Sequence, residues 1–274
     1  MVGMDFWLQL LIVLVCLFYG ALKGGIALGL MGGVGLIVLI FGFQLPAGKP
    51  PIDVILTILA VICGSSTLQS AGGLDCLLQL AERLLRKHPR YVCFLSPYVC
   101  WFLTVLCGTG HVVYTMLPVI YDIAIKNNIR PERPMAASTI ASQMGIICSP
   151  AAVATVSAIA MLEGYTINGE PFDFIDLFAI TIPGGFIGVF FVGLFSMFRG
   201  KDLDKDEDFQ RLIAKPEMKR YVYGETTTLM DQKFNSKQWF SLWLFLGIIA
   251  LIALLGMNPQ YRPIVAGAPI TMTL

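Results

Sequence analysis

The stretch Leu106–Thr115, LCGTGHVVYT, lies between two apolar runs and has basic residues beyond both outer ends. Arg83, Arg86, Lys87 and Arg90 precede it, and Lys126, Arg130 and Arg133 follow it. Cytoplasmic loops of membrane proteins carry the excess of Lys and Arg. Both ends of segment 91–125 are therefore expected in the cytoplasm. One full crossing cannot achieve that, and neither can three. Two half-crossings that meet at a tip can. The return arm, Val112–Ile125, spans roughly 20 Å at 1.5 Å per residue, against a hydrocarbon core of about 30 Å. Pro97 and Pro118 are expected to interrupt the arms. Gly108 and Gly110 permit a turn that other residues resist. Irregular backbone at that depth must be buried in protein or line a wet cavity. The pattern predicts a re-entrant helical hairpin over 91–125, with the quoted stretch at its tip.

Composition supports the membrane setting. Of 274 residues, 56% are hydrophobic and 14% charged, with a mean hydropathy of +0.74. A soluble chain carries about 25% charged residues. Apolar spans fall at 6–22, 25–45, 52–71, 91–107, 112–125, 134–162, 174–198 and 239–255. The formal net charge of +1 carries no signal for nucleic acid. Asp5 stands where a secretory signal would have a basic flank, so the first run reads as a span. The seven cysteines form no C-x-x-C pair and read as small hydrophobes at helix contacts, so no metal and no cofactor are expected. Gly25, Gly29 and Gly33, like Gly184 and Gly188, have the four-residue spacing of close helix contacts in lipid.

The charged connections set the topology. Segments 82–90, 126–133 and 199–238 are expected inside, the last with nine Lys or Arg. Residues 163–176, with four acids and no base, are expected outside. Span 239–255 then starts inside, opposite to span 6–22, as the second half of an inverted repeat would. The expected fold is an all-α polytopic membrane protein with a re-entrant hairpin and a broken transmembrane helix. Its parts are a first transmembrane repeat over 1–198, a solvated, partly helical cytoplasmic loop over 199–238, and the start of a second, truncated repeat over 239–274. The chain is expected to be part of a longer one.

The broken helix is the run 134–162. At 29 residues it would reach about 43 Å as one helix, too long for a straight span. Ser142–Ala151, SQMGIICSPA, supplies a break through Gly145 and Pro150, and Ser149 before proline is pushed from helical dihedrals. The half-helices after the two breaks begin near His111 and Ala151. Helix starts expose N–H groups and a positive dipole end, which bind carboxylates without a buried lysine. The candidate substrate-binding residues are Thr109, Gly110, His111, Thr115, Ser142, Gln143, Ser149 and Pro150. Each has a blander alternative: His111 as a neutral ring bonded to carbonyls, and the hydroxyls as backbone caps. An enzyme is disfavoured by the lack of metal-ligand spacing and paired intramembrane carboxylates, and by only two histidines. A channel or a carrier of another small organic anion is the competing reading, because half-helices also build pores.

Three stretches, FYGALKGGIALGL at 18–30, LCGTGHVVYTMLPVIYDIAIKNNIRPERPMAAS at 106–138 and RGKDLDKDEDFQ at 199–210, closely resemble the anaerobic C4-dicarboxylate transporters, the Dcu family, and its B-type members in particular. The likeness runs along essentially the whole chain. It implies a multi-pass carrier of the bacterial inner membrane in anaerobic growth, taking up fumarate, malate or aspartate and exporting succinate by exchange. It also implies the ion-transporter-like fold of two inverted repeats, each with a re-entrant hairpin. Family members continue past Leu274 with a second repeat. The implied partners are these C4-dicarboxylates and the lipid bilayer, with no nucleic acid; a homo-oligomer is allowed by the reading but not specified by it.

Overall fold

The computed structural model describes residues 4–24, 26–46, 52–150, 152–162, 165–167, 170–172, 174–224 and 228–257. Gly25, Ala151, Glu163, Asp173 and residues 258–274, which carry some of the expectations above, lie outside them. Apart from a two-residue antiparallel ribbon, β1 (Thr166–Ile167) with β2 (Glu170–Pro171), the described secondary structure is helical. Three described helices are long and apolar enough to cross a membrane: Asp5–Lys23, Pro89–Cys107 and Ile175–Met197. This is the all-α make-up of a polytopic membrane protein. The chain divides into two compact units, Met1–Pro50 and Pro51–Leu274.

The first unit holds α1 (Met4–Lys23) and α2 (Ala27–Ile37), the latter continued by a π-helical turn at Val38–Gly42. Gly24, at φ +68°, turns the chain between them. A Cβ on Gly20 would stand 2.8 Å from Leu28 Cα, and one on Gly35 3.3 Å from Cys16 Sγ. Those pairings make α1 and α2 antiparallel, with glycine where they approach. Gly29 and Gly33 are not at that seam; open space lies where their Cβ atoms would be. Most large apolar side chains of α1 point outward, as lipid contact requires.

The second unit holds ten helices among the described residues. They are α3 (Ile52–Ser70), α4 (Gly73–Lys87), α5 (Val92–Cys107), α6 (Val113–Lys126), α7 (Glu132–Ile146), α8 (Val153–Met161), α9 (Phe174–Met197), α10 (Glu207–Ile213), α11 (Pro216–Tyr223) and α12 (Ser236–Met257). The connection expected at 82–90 is in its first half the end of α4. Cys76, Leu77, Leu78, Ala81 and Leu85 recur at helical spacing and are buried against α5, α6 and α12, while Arg83 and Lys87 face out. Pro97 and Pro118 do not interrupt their arms; α5 and α6 run through them. One missing N–H does not end a helix held on its flanks. In α5, Ser96 Oγ also donates to the Val92 carbonyl at 2.7 Å, while Ser138 Oγ donates to Ser96.

That Ser96–Ser138 pair and the Thr104–Ser142 pair, 2.9 Å apart, lie along one buried seam. Residue numbers rise together along it, so α5 and α7 are parallel. Two parallel helices in succession need a return element between them, and α6 is that element. Helix α9 closes the other side: Ser196 donates to the Arg133 carbonyl at one end and Cys148 Sγ lies 3.2 Å from the Thr181 carbonyl at the other, so α9 is antiparallel to α7. Over half of the Pro89–Cys107 window is buried, 56% against 17% for α9, which places α5 in the middle of the unit.

The base of the hairpin is a cluster of ion pairs. Arg86 reaches Glu82 at 2.8 Å and Asp122 at 2.9 Å, and Lys126 reaches Asp122 at 2.6 Å. Both carboxylates are buried. Segment 199–238 is exposed over most of its described length and partly helical, through α10 and α11, and it is pinned at several points. Arg133 holds Asp202 and the Arg199 and Gly200 carbonyls; Arg130 holds Asp206 at 3.0 Å. Gln79 donates to the Leu229 and Gln232 carbonyls, and Glu82 accepts from the Leu229 N–H and the Thr228 hydroxyl. The segment is strapped across α4 and the start of α7, because its acids and carbonyls find the bases and amides of those elements.

Candidate functional site

Helix α5 ends at Gly108, whose φ of +72° only glycine adopts at no steric cost. Thr109 is extended and caps a short 3₁₀ turn, Gly110–Val112, that leads into α6. Its hydroxyl oxygen accepts the His111 N–H at 3.3 Å and stands 2.9 Å from His111 Nδ1. The Tyr114 ring meets the imidazole edge to face at 5.9 Å.

The second break separates α7 from α8 at residues 147–152. Gly145 is not part of it. It lies inside α7, where a Cβ would stand 2.8 Å from the Trp101 carbonyl oxygen, so it brings α7 against α5. The break is marked by Ser149 and Pro150, and Thr155 in the first turn of α8 donates to the Ile146 carbonyl at the end of α7.

The two breaks meet. Ser142 Oγ donates to the Gly110 carbonyl at 2.8 Å. That bond uses the only Ser142 hydroxyl proton, so Thr104 donates to Ser142 in turn. Around this joint lies a cavity of about 430 Å³. It is lined by Ile62 and Ser65 of α3, by Cys107–His111, by Gln143 and Ile146 at the end of α7, and by Val153 and Ala154 at the start of α8. The first turns of two helices thus open onto one space, where N–H groups lack intrahelical acceptors. Such a space suits an anion.

Of the residues singled out in the sequence, Thr109, Gly110, His111 and Gln143 line this cavity. Thr109, His111 and Gln143 are exposed to it, while Gly110 is buried, and a Cβ there would stand 2.7 Å from Gln143 Nε2. Ser142 is buried behind the lining as a strut. Thr115 donates to the Val112 carbonyl, Ser149 is buried in the joint, and Pro150 is half-buried beside it; none of the three lines the cavity. Sequence reading missed Thr104, Thr155 and Ser65. The polar run Ser65-Ser66-Thr67 inside an apolar span could have pointed to Ser65. A lone threonine in α5 offers no such signal. The Arg86, Asp122 and Lys126 ion pairs lie at the other end of α5 and α6, and among the described residues no cluster of side chains suits a metal ion.

The profile of a known family, described as anaerobic C4-dicarboxylate membrane transporter, matches residues 5–274. The chain is 59% identical over 271 residues to the anaerobic C4-dicarboxylate transporter DcuB of Escherichia coli O157:H7, covering 99% of this chain and 61% of that protein. It is 41% identical over 218 residues to the C4-dicarboxylate transporter DcuA of Wolinella succinogenes, covering 80% and 49%. It is 36% identical over 254 residues to DcuA of Helicobacter pylori strain J99, covering 90% and 54%. The chain therefore spans about half to three fifths of the length of these curated relatives. No solved structure matches it.

Proposed function

The chain belongs to the anaerobic C4-dicarboxylate membrane transporter family, and from that premise we propose that it works in carrying C4-dicarboxylates across the bacterial inner membrane during anaerobic growth. The family and these relatives are transporters, not enzymes. The cargo on this reading is fumarate, malate or aspartate inward and succinate outward, by exchange. The observation that carries the reading is the cavity where two broken helical elements converge, with His111 and Gln143 as side-chain donors and two helix starts facing one space. A dicarboxylate needs two such anion-holding ends, and neutral donors hold it weakly enough to be released.

The membrane placement is part of the same proposal. Helices α5 and α6 dip from the cytoplasmic face and return. The 14 residues of α6 reach about 21 Å, short of the roughly 30 Å core, and the buried position of α5 satisfies the need to shield a tip at that depth. The ion pairs that join 82–86, 122–133 and 202–206 support one common side for those three connections. Residues 1–198 form the first repeat, 199–238 a cytoplasmic strap, and 239–274 begin the second, inverted repeat.

The test is counterflow. Labelled fumarate should accumulate in vesicles containing the protein and loaded with succinate, saturate with concentration, and accelerate with internal succinate. Flux that neither saturates nor responds to internal succinate would mean a pore.

A further inference from the structure

The sequence reading groups Thr109 with residues that touch substrate. Its bonds assign it a different task. Thr109 Oγ1 has two partners at the hairpin tip: the His111 backbone N–H at 3.3 Å and the His111 ring Nδ1 at 2.9 Å. The N–H can only donate, so toward it the oxygen accepts. A hydroxyl has one proton. If Nδ1 also donated, the oxygen would accept twice and its own proton would have no acceptor among the described residues. If instead the hydroxyl donates to Nδ1, each group at the turn is used once. We infer that Thr109 is a positioning residue that donates to His111 Nδ1, holds the imidazole as the neutral tautomer with its proton on Nε2, and so offers Nε2–H to a carboxylate oxygen in the cavity.

The tautomer of a histidine is set by the bond its other nitrogen makes. Here that bond comes from a residue whose own backbone is fixed: Thr109 is extended directly after the left-handed Gly108, and it caps the turn that carries His111. The Tyr114 ring braces the imidazole at 5.9 Å. Among the described residues no group bonds Nε2, and His111 lines the cavity. The ring therefore faces the cavity as a donor. A ring flipped to the other tautomer would present a lone pair there and repel a carboxylate. The inference rests on the reading that this cavity holds the dicarboxylate, and it adds which atom meets it and what aims that atom.

Two measurements separate the inference from that reading. The first needs no substrate. The chain has two histidines, so the His88→Asn variant leaves one imidazole for nitrogen-15 NMR in vesicles. At neutral pH the expected spectrum has an unprotonated Nδ1 and a protonated Nε2; a protonated Nδ1 overturns the inference whatever the protein transports. The second is counterflow half-saturation for fumarate. Thr109→Val should raise it about fivefold, the weight of one hydrogen bond, with little change in maximal rate, while Thr109→Ser, which keeps the hydroxyl, should restore it. His111→Gln places an amide donor near the Nε2 position without a tautomer to fix, so Thr109→Val should cost nothing further in that background. Equal cost in both backgrounds would make Thr109 merely structural and overturn the inference. Wild-type vesicles that fail to exchange fumarate would sink the proposed function and leave the tautomer result standing.

Discussion

Arg86 Nη1 stands 2.9 Å from Asp122 Oδ2, although the two residues are 36 positions apart. Between them runs the whole excursion through α5, the tip and most of α6, so the bridge closes the loop at its base. Asp122 is buried, and Arg86 is about one-third exposed. Burial disfavours the Arg86 charge, but bonds to Glu82 and Asp122 outweigh it and raise its pKa above the ordinary arginine value. The arginine is therefore charged at every pH below that ordinary value, and its contribution is lost only in strong alkali.

Arg86→Gln should therefore destabilise the protein by about 2–3 kcal/mol, less than a fully buried pair would lose because Arg86 keeps some water. Adding Asp122→Asn should cost a further increment, since Lys126 then loses its carboxylate partner as well. Thermal unfolding in detergent measures both. An unchanged melting temperature in Arg86→Gln would show that the bridge does not hold the base.

The topology can be read by labelling. Asn127 is exposed beyond the end of α6, and Tyr165 is exposed beyond α8. In a background with exposed Cys63 replaced by Ser, Asn127→Cys should react with an impermeant maleimide only from the cytoplasmic side. Tyr165→Cys should react only from the periplasmic side. Labelling of Asn127→Cys from the periplasmic side contradicts the dip of α5 and α6, and labelling of both from one side contradicts the crossing by α7 and α8.

The strut behind the cavity has its own signature. Ser142 and Thr104 do not line the cavity, yet Ser142, backed by Thr104, holds the carbonyl of Gly110, which does. Ser142→Ala should leave that carbonyl without its bond and loosen the tip, raising half-saturation for fumarate about fivefold, as the loss of one buried hydrogen bond would. Thr104→Val should do less, because Ser142 keeps its own donation. A larger effect from Thr104→Val would mean that the proton order along the chain is reversed.

Much of this was legible in the sequence, for physical reasons that also mark the limits. Long apolar runs can only be buried or lipid-facing, so α1, α5, α9 and α12 stood out. Charge placement put both ends of 91–125 on one side of a membrane, but it did not say that Arg86 and Asp122 would touch. Helix α4 was overlooked because a search for apolar runs passes over an amphipathic helix, whose buried residues Leu77, Leu78, Ala81 and Leu85 are spaced among polar ones. Gly145 was misread because glycine serves both a break and a close approach, and only the Trp101 carbonyl beside it tells which. The contacts that pin the exposed segment 199–238 were not legible, because nothing in its own charge pattern singles out Arg130 and Arg133 as the partners.

The two glycines at the joint make the sharpest comparison. A Cβ on Gly145 would stand 2.8 Å from the Trp101 backbone oxygen, which cannot turn aside, so α5 and α7 must move apart. Gly145→Ala should cost about 1–3 kcal/mol, the range for overpacking a tight seam, and lower the melting temperature. A Cβ on Gly110 would stand 2.7 Å from Gln143 Nε2, the far end of a flexible side chain that can swing away. Gly110→Ala should therefore fold and melt nearly as the parent does. It should still displace Gln143 from the cavity and raise half-saturation for fumarate while maximal exchange is kept. Opposite behaviour, with Gly110→Ala unstable and Gly145→Ala changed only in affinity, would mean that the seam and the cavity have been assigned to the wrong glycines.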